Sequence, residues 1–161
     1  MKNFFQTKNL VRTAMVAALY GALTWVLSSL SYGPIQFRLT EIMVLLAFID
    51  SAYIPGLVLG CIIANIFSPM GFVDMAFGSF ATLIAVFLIS KTKNLFLATL
   101  YPTIANGIII AIELYFILKL PFLLSFGEVA LGEFIVVTCL GYPIFKAILK
   151  NEKLVALLKF N

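Results

Sequence analysis

Long apolar runs, interrupted only by short polar turns, limit the folds open to this chain more than any motif does. Apolar residues make up 63% of its 161 residues and charged residues only 11%, whereas soluble domains average roughly 45–50% and about 25%. A membrane-spanning helix needs about 20 residues, so six would use about 120 and leave about 40 for loops and tails. No room remains for a soluble catalytic or nucleotide-binding domain. We therefore expect an all-α integral membrane protein, with residues 1–161 forming a single six-helix domain.

The apolar runs predict six transmembrane helices, separated by proline, glycine and charged residues. The first run follows basic residues, as in a signal peptide, but it is longer than a signal-peptide core, so we interpret it as a helix. The second run is short and is broken at Asp50. In chain order, the predicted helices cover residues 10–31, 41–49, 55–67, 73–90, 94–118 and 128–149.

The basic residues predict how the helices are oriented, because cytoplasmic loops of membrane proteins are enriched in lysine and arginine. With a cytoplasmic N-terminus, only Arg38 and Lys119 lie outside. The nine inside are Lys2, Lys8, Arg12, Lys91, Lys93, Lys146, Lys150, Lys153 and Lys159. We therefore expect both termini in the cytoplasm, and we interpret the net charge of +4 as a topology signal rather than a nucleic-acid surface.

Most of the acidic residues are predicted at the opposite end of the bundle. Five of the seven fall at or within its outer half: Glu41, Asp74, Glu113, Glu128 and Glu133. Acids at membrane depth are costly and usually face a protein interior or a watery cavity. Their convergence predicts an outward-facing polar pocket that favours hydrogen-bond donors or a cation.

Helical spacing groups several polar and small residues into stripes that should face inward. The stripes are Thr99, Thr103, Asn106 and Glu113 in helix five, Asp74, Gly78 and Thr82 in helix four, and Cys61 and Asn65 in helix three. Hydrogen bonds between helices would explain such stripes as well as ligand binding would. For Asn65 and Thr103 both interpretations stay open, whereas an ionised Glu113 needs a partner or water.

Three other groups of residues have two interpretations each. Glu128 is predicted at the start of helix six, where an acid complements the helix dipole, while Glu133 lies deeper and is the better ligand candidate. Arg38 and Glu41 are three residues apart and form either a local ion pair or a ligand clamp. A stripe of small residues on helix one packs either within this bundle or against another membrane protein. That stripe is Ala14, Ala18 and Ala22.

Other chemistry has little support in the sequence. Histidine is absent, which removes the commonest metal ligand and the usual general base. Cys61 and Cys139 lie inside apolar runs without ligand spacing, and we expect them to be buried small residues. We therefore expect no bound metal and no cofactor, and we give little weight to an intramembrane enzyme or a structural subunit without a ligand.

Several segments resemble the QueT family of queuosine-precursor transporters, which are substrate-binding (S) components of energy-coupling factor transporters. The resemblance is carried by the run from Tyr32 to Glu41, by Pro55-Gly56-Leu57, Gly60-Cys61 and Ala64-Asn65, and by Asp74 with Phe77-Gly78-Ser79 and Ala81-Thr82-Leu83. It implies a six-helix protein of the prokaryotic plasma membrane that binds a vitamin-like molecule from outside. It also implies docking through the alanine stripe onto a transmembrane coupling subunit (T component) that carries two ATPases. The chain has no Walker A sequence, so we expect ATP to be used by these partners.

The substrates implied by the resemblance are deazaguanine bases, whose adjacent ring NH and exocyclic amine can donate to one carboxylate. The aminomethyl form adds an ammonium for a second carboxylate. The candidate acceptors are Glu41, Asp74, Glu113 and Glu133, and the candidate donors to the ring carbonyl are Gln36, Arg38, Asn65 and Asn106. Tyr32 or Phe37 could stack on the base. Which acid binds which group stays open, as does an S component for another vitamin-like substrate.

Overall fold

The structure is a computed structural model that describes residues 7–33 and 35–160, so Lys2 and Pro34 of the sequence analysis lie outside the described residues. Every regular element in these ranges is helical. The α-helices are α1 (Thr7–Val26), α2 (Ser28–Ser31), α3 (Leu46–Ile49), α4 (Ile54–Asn65), α5 (Phe72–Lys91), α6 (Leu95–Leu118), α7 (Phe122–Glu133), α8 (Tyr142–Leu149) and α9 (Glu152–Leu158). Two 3₁₀ helices, Leu39–Leu45 and Ser51–Tyr53, and a π-helical segment, Phe134–Gly141, complete the fold.

Three helices are long and apolar enough to cross a membrane: Phe72–Lys91, Leu95–Leu118 and the continuous Phe122–Leu149. They correspond to the predicted helices four, five and six. Leu39–Ile49 and Ser51–Asn65 are shorter apolar helices, while α1 has 20 residues but carries two basic residues near its start. The all-helical membrane fold is therefore supported, and six spans with cytoplasmic termini stay a prediction.

The last long helix begins six residues earlier than predicted. Pro121 has an extended backbone (φ −61°, ψ 123°) and the helix follows it directly at Phe122, because proline limits the helix on its N-terminal side but is tolerated at a helix start. Glu128 consequently lies well inside α7. Its predicted position at the helix N-terminus, and with it the helix-dipole interpretation, is wrong.

The helices pack in chain order: α1 against α4, α4 against α5, α5 against α6, and α6 against α7. Glycines allow the first of these contacts to be very close. A Cβ on Gly60 would lie 2.6 Å from Cβ of Tyr20, and one on Gly56 would lie 2.9 Å from the Thr13 carbonyl oxygen. Such close approach through small residues is typical of helix pairs in membranes, and it places the inner face of α1 deep in the bundle.

One end of the bundle is tied together by the C-terminal segment. Arg12 Nη1 donates to the Lys159 carbonyl at 2.7 Å, and the Tyr53 hydroxyl donates to the Leu158 carbonyl at 2.6 Å. The Phe160 amide donates to Asp50 Oδ2 at 2.9 Å. We call this the basic end, because the lysines of the C-terminal helices lie there. The start of α1 and the C-terminal segment therefore lie side by side.

The π-helical segment lies in the middle of the last long helix. It begins directly after Glu133 and ends at Gly141, where a Cβ would lie 3.1 Å from Leu45 Cδ1. Within it, Thr138 is buried and its Oγ1 lies 3.2 Å from Thr99 Oγ1 of α6. π-Helical turns inside α-helices are rare and occur frequently at functional sites. Here the segment follows one of the candidate ligand residues.

Candidate functional site

A cavity of about 320 Å³ opens at the end of the bundle opposite the basic end. It lies between the loop after α2, the turn before α5, the C-terminal end of α6 and the first half of α7. Its lining residues are Tyr32, Gly33, Gln36, Pro69, Met70, Asp74, Leu114, Leu118, Leu120 and Glu128. Two of the predicted ligand residues, Gln36 and Asp74, therefore line the cavity, and Glu128, for which we expected only a helix-dipole role, lines it too.

The loop that carries Gln36 lies directly on α7. A Cβ on Gly132 would come within 2.6 Å of the Gln36 carbonyl oxygen, so a glycine is needed for this approach. Tyr32 fixes the other side of the loop, because its hydroxyl donates to the Ala64 carbonyl at 2.5 Å. Partial burial raises the pKa of the Tyr32 hydroxyl, which keeps it a neutral donor. Glu133, the residue after Gly132, is thereby brought near the loop.

Arg38 and Glu41 form the predicted local contact, with 3.9 Å between Arg38 Nη1 and Glu41 Oε1. The Arg38 guanidinium also lies over the Tyr32 ring, 5.8 Å from its centroid. Glu41 is 1% exposed, and its Oε1 accepts a short hydrogen bond from the Tyr20 hydroxyl. Glu41 Oε2 is buried and has no hydrogen-bond partner among the described residues. Arg38 and Glu41 thus contact each other locally, and Glu41 Oε2 remains free to accept a hydrogen bond.

Glu133 and Asn106 come together although 27 residues separate them in the chain. Asn106 Nδ2 donates to Glu133 Oε1 at 2.6 Å, and both side chains are buried. Glu133 Oε2 has no partner in the part of the chain that the structure describes. The Arg38 guanidinium interacts electrostatically with Glu133 as well as with Glu41, so these groups form one buried polar cluster.

Glu113 is a buried acid whose carboxyl group lies against that of Asp74. Its side chain is 0% exposed, and neither carboxyl oxygen accepts a hydrogen bond from a donor group within residues 7–33 and 35–160. It is close enough to Asp74 and Arg38 to interact with both electrostatically. Asp74 in turn accepts a short hydrogen bond from the Ser68 hydroxyl. Buried polar groups are nearly always hydrogen-bonded, so two open oxygens on one carboxyl require an explanation.

Asn65 is engaged in structural contacts through its amide nitrogen. Nδ2 donates to the Asp74 carbonyl at 3.1 Å and to Cys61 Sγ at 3.4 Å. A Cβ on Gly78 would lie 2.6 Å from Nδ2, so α5 leaves room for the amide. The amide protons that were expected to donate to a ligand carbonyl are therefore used within the protein, whereas Oδ1 has no partner among the described residues.

The predictions for the two cysteines and for the polar stripe of α6 are confirmed only in part. Cys61 is fully buried as expected, but Cys139 is exposed, so its predicted burial is wrong. The reason is that apolar residues of a membrane protein face lipid as well as the core, and hydrophobicity alone does not separate the two. Thr99 and Asn106 are buried with Glu113, whereas Thr103 of the same stripe is half-buried.

The alanine stripe of α1 points away from the bundle. Ala14, Ala18 and Ala22 are exposed, while Ala17 and Gly21 are buried against α4. Packing within this chain therefore uses the neighbouring face of α1 and does not account for the stripe. Around the stripe, α1 exposes further large apolar residues, including Met15 at 58% and Leu19 at 52%.

Two residues that the sequence analysis did not select contact the candidate acids. They are Tyr20, which donates to Glu41, and Ser68, which donates to Asp74. A tyrosine in an apolar helix is a weak indication of a buried hydrogen bond, because a buried hydroxyl usually needs a partner. The sequence does not show which partner, because that depends on how the helices pack. In the described ranges, no group of three or more histidine, cysteine, aspartate or glutamate residues is arranged to hold a metal ion.

Comparison with known proteins gives two matches. Residues 10–150 match a family model described as "QueT transporter". The chain is also similar to "Queuosine precursor transporter QueT" of Lactococcus lactis subsp. cremoris (strain MG1363), with 38% identity over 146 residues. That alignment covers 80% of this chain and 85% of the Lactococcus protein. No solved structure matches the chain.

Proposed function

The chain belongs to the QueT transporter family, and from this premise we propose that it is the substrate-binding component of an energy-coupling factor importer for a queuosine precursor. As a family member it is a transport protein with helices able to span a membrane. The proposal adds the cell membrane as its location, capture of a deazaguanine base from outside, and uptake driven by ATP hydrolysis in partner subunits.

The open acceptors of the buried acids are the observation that carries this proposal, although these acids are not among the residues that line the cavity. Four buried carboxyl oxygens accept no hydrogen bond from a donor group within the described ranges: one on Glu41, one on Glu133 and both on Glu113, whose carboxyl lies against that of Asp74. Leaving buried acceptors unpaired is costly, and a ligand rich in donors would remove that cost. A deazaguanine base fits this need, because its ring NH and exocyclic amine are adjacent donors that one carboxyl group can accept together.

The charge balance of the same region favours the aminomethyl form of the base. Three carboxyl groups, those of Glu41, Glu113 and Glu133, interact with a single guanidinium, that of Arg38. A fourth, that of Asp74, interacts with Glu113. An ammonium on the ligand would add a second positive charge to the cluster, and charge-assisted bonds to carboxylates are the stronger kind. Asp74 lines the cavity and is well placed for this role.

The ring carbonyl and the face of the base need different partners. Gln36 lines the cavity, so its side-chain amide could donate to the carbonyl, and Arg38 is the alternative donor. Asn106 is a weaker candidate because one of its amide protons is bound to Glu133. Tyr32 lines the same cavity and offers an aromatic face for stacking.

The exposed stripe of α1 supports docking onto the coupling subunit. Small side chains at Ala14, Ala18 and Ala22 would let a partner helix approach the backbone closely. We expect Ala18→Leu to weaken assembly with the coupling subunit and its two ATPases in co-purification, while ligand affinity stays unchanged. Lost ligand binding with intact assembly would contradict the docking assignment.

Thermal stabilisation of the purified protein tests the proposed ligand directly. A ligand that binds only the folded state raises the melting temperature with concentration, because binding stabilises by RT ln(1 + [L]/Kd). We expect stabilisation by the aminomethyl deazaguanine, weaker stabilisation by guanine, and none by unrelated vitamins such as thiamine or riboflavin. Stabilisation by one of these vitamins, with no response to any deazaguanine, would replace the proposed substrate.

A further inference from the structure

Tyr20 is a fully buried side chain of α1 whose position depends on a glycine of α4. A Cβ on Gly60 would lie 2.6 Å from Tyr20 Cβ and 3.0 Å from Cγ, so any larger residue at position 60 would displace the ring. The gap left by Gly60 lets the tyrosine extend into the bundle. Its hydroxyl reaches the 3₁₀ helix Leu39–Leu45 and donates to Glu41 Oε1.

Because of this hydrogen bond, the two oxygens of the Glu41 carboxyl have different surroundings. Oε1 accepts the Tyr20 hydroxyl and lies 3.9 Å from Arg38 Nη1, so both protein groups act on the same oxygen. Oε2 is buried and has no hydrogen-bond partner in the described part of the chain. A carboxylate accepts several hydrogen bonds. The arrangement therefore anchors one oxygen and leaves the other as an oriented acceptor.

A purely structural role explains this bond poorly. The connection between α1 and the 3₁₀ helix is already made by Thr24 Oγ1, which lies 2.7 Å from Thr40 Oγ1. A phenylalanine would fill the space beside Gly60 equally well and would bring no polar atom into the core. The hydroxyl is the part of Tyr20 that packing does not require, and its partner is a candidate ligand residue.

We propose that Tyr20 is a positioning residue for ligand binding, which acts by holding the Glu41 carboxyl so that Oε2 is presented to the ligand. This inference rests on the proposed function, because it assumes that Glu41 accepts a hydrogen bond from the bound base. It assigns a binding role to a side chain that need not touch the ligand. It also makes the inner face of α1 part of the binding site.

Isothermal titration of the full-length protein with the aminomethyl deazaguanine tests the role. Tyr20→Phe removes one oxygen atom, and we expect affinity to fall about three- to tenfold, as for the loss of one hydrogen bond. The matched control is Tyr53→Phe, which removes a hydroxyl bonded to the Leu158 carbonyl at the basic end. That variant should bind normally. A Tyr20→Phe protein that melts at a lower temperature but binds with unchanged affinity would overturn the positioning role.

A double-mutant cycle shows whether Tyr20 acts through Glu41. If it does, adding Tyr20→Phe to Glu41→Gln should change affinity by less than about twofold, because the positioned group is already altered. An equal loss in both backgrounds would overturn the inference. Should Tyr20→Phe fail to fold, a fluorinated tyrosine at position 20 keeps the test: ligand should shift its fluorine resonance, and an unchanged resonance at saturation would overturn the role.

Different results would contradict the proposed function and the proposed role of Tyr20. If the unsubstituted protein binds no deazaguanine, the proposed function fails and the role of Tyr20 fails with it. If the unsubstituted protein binds and Tyr20→Phe binds equally well, only the role of Tyr20 is overturned.

Discussion

Asp50 and Glu113 are both acids near the ends of apolar helices, but they differ in how their carboxyl oxygens are hydrogen-bonded. At the basic end, Asp50 Oδ1 accepts the Ala52 amide and Oδ2 accepts the Phe160 amide, both at 2.9 Å. At the cavity end, neither oxygen of Glu113 accepts a hydrogen bond from a donor group in the described chain. The Asp50 carboxylate, which has a structural role, therefore has hydrogen bonds to both of its oxygens. The open acceptors of Glu113 have no such structural role, which is consistent with the ligand binding proposed above.

The largest expected difference between the two ends is their accessibility from outside the cell. In a Cys139→Ser background, Pro69→Cys should react with an impermeant thiol reagent on whole cells, and Lys93→Cys should react only after lysis. Both positions are exposed, whereas Ser31 and Ser68 are buried and would label poorly. Labelling of position 93 but not 69 on intact cells would invert the predicted topology.

The next effect concerns the open acids themselves. Glu113→Gln and Asp74→Asn keep size but remove charge, so each should lose charge-assisted bonds to the ligand worth about 1.5–3 kcal/mol. Affinity measured by titration should fall about 10- to 100-fold. Folding should be little changed, because each amide keeps the size of the carboxyl group that it replaces.

Titration with guanine distinguishes the roles of the two acids, because guanine has the ring donors but lacks the aminomethyl group. A substitution that weakens binding of both ligands identifies the partner of the ring, and one that spares guanine identifies the partner of the ammonium. If both variants bind normally and melt earlier, these acids are structural and the comparison with Asp50 fails.

Asp50→Ala should have the reverse profile, with an effect on stability and none on binding. It removes two acceptors that bind backbone amides, so the free energy of unfolding should fall by about 1–3 kcal/mol. Thermal melting of the purified protein measures this loss, and ligand titration provides the control. A large loss of affinity in Asp50→Ala would show that the two ends are coupled rather than separate.

Glu128→Gln should have the smallest effect. The side chain is half-buried and lines the cavity, so it would contribute a weak, solvent-screened attraction to a cationic ligand. We expect affinity for the aminomethyl base to fall about two- to fivefold and affinity for guanine to stay the same. Equal loss for both ligands would place Glu128 in direct contact with the ring.

The sequence predicted the regular helices better than their irregular neighbours. Residues 73–90 were expected to be helical and α5 covers Phe72–Lys91, because a long apolar run between turn residues leaves few alternatives. The start at Phe122 was missed because Ser125, Gly127 and Glu128 interrupt the apolar run there, although Pro121 is compatible with a helix that follows it. The 3₁₀ geometry of Leu39–Leu45 was missed for a similar reason, since apolar periodicity does not separate tightly wound helices from regular ones.

The candidate site was predictable in composition but not in pairing. Acids at membrane depth are expensive, so Glu41, Glu113 and Glu133 could be selected from the sequence alone. That Glu133 binds Asn106 and that Glu41 binds Tyr20 depends on how separate helices pack. These pairings determine which oxygens remain open, and the chemistry of the site depends on those oxygens.

The π-helical segment makes the site sensitive to single-codon deletions. Residues advance about 100° around an α-helix, and a π-helical turn accommodates more residues than an α-helical one. Losing one residue between Phe134 and Gly141 could therefore be absorbed by rewinding to a regular helix, with the apolar character of the span preserved. Glu133 would then rotate relative to Phe145, which is buried in the core. We expect a reading-frame-preserving deletion in this segment to leave a protein that inserts and folds but in which the candidate ligand Glu133 no longer faces Asn106.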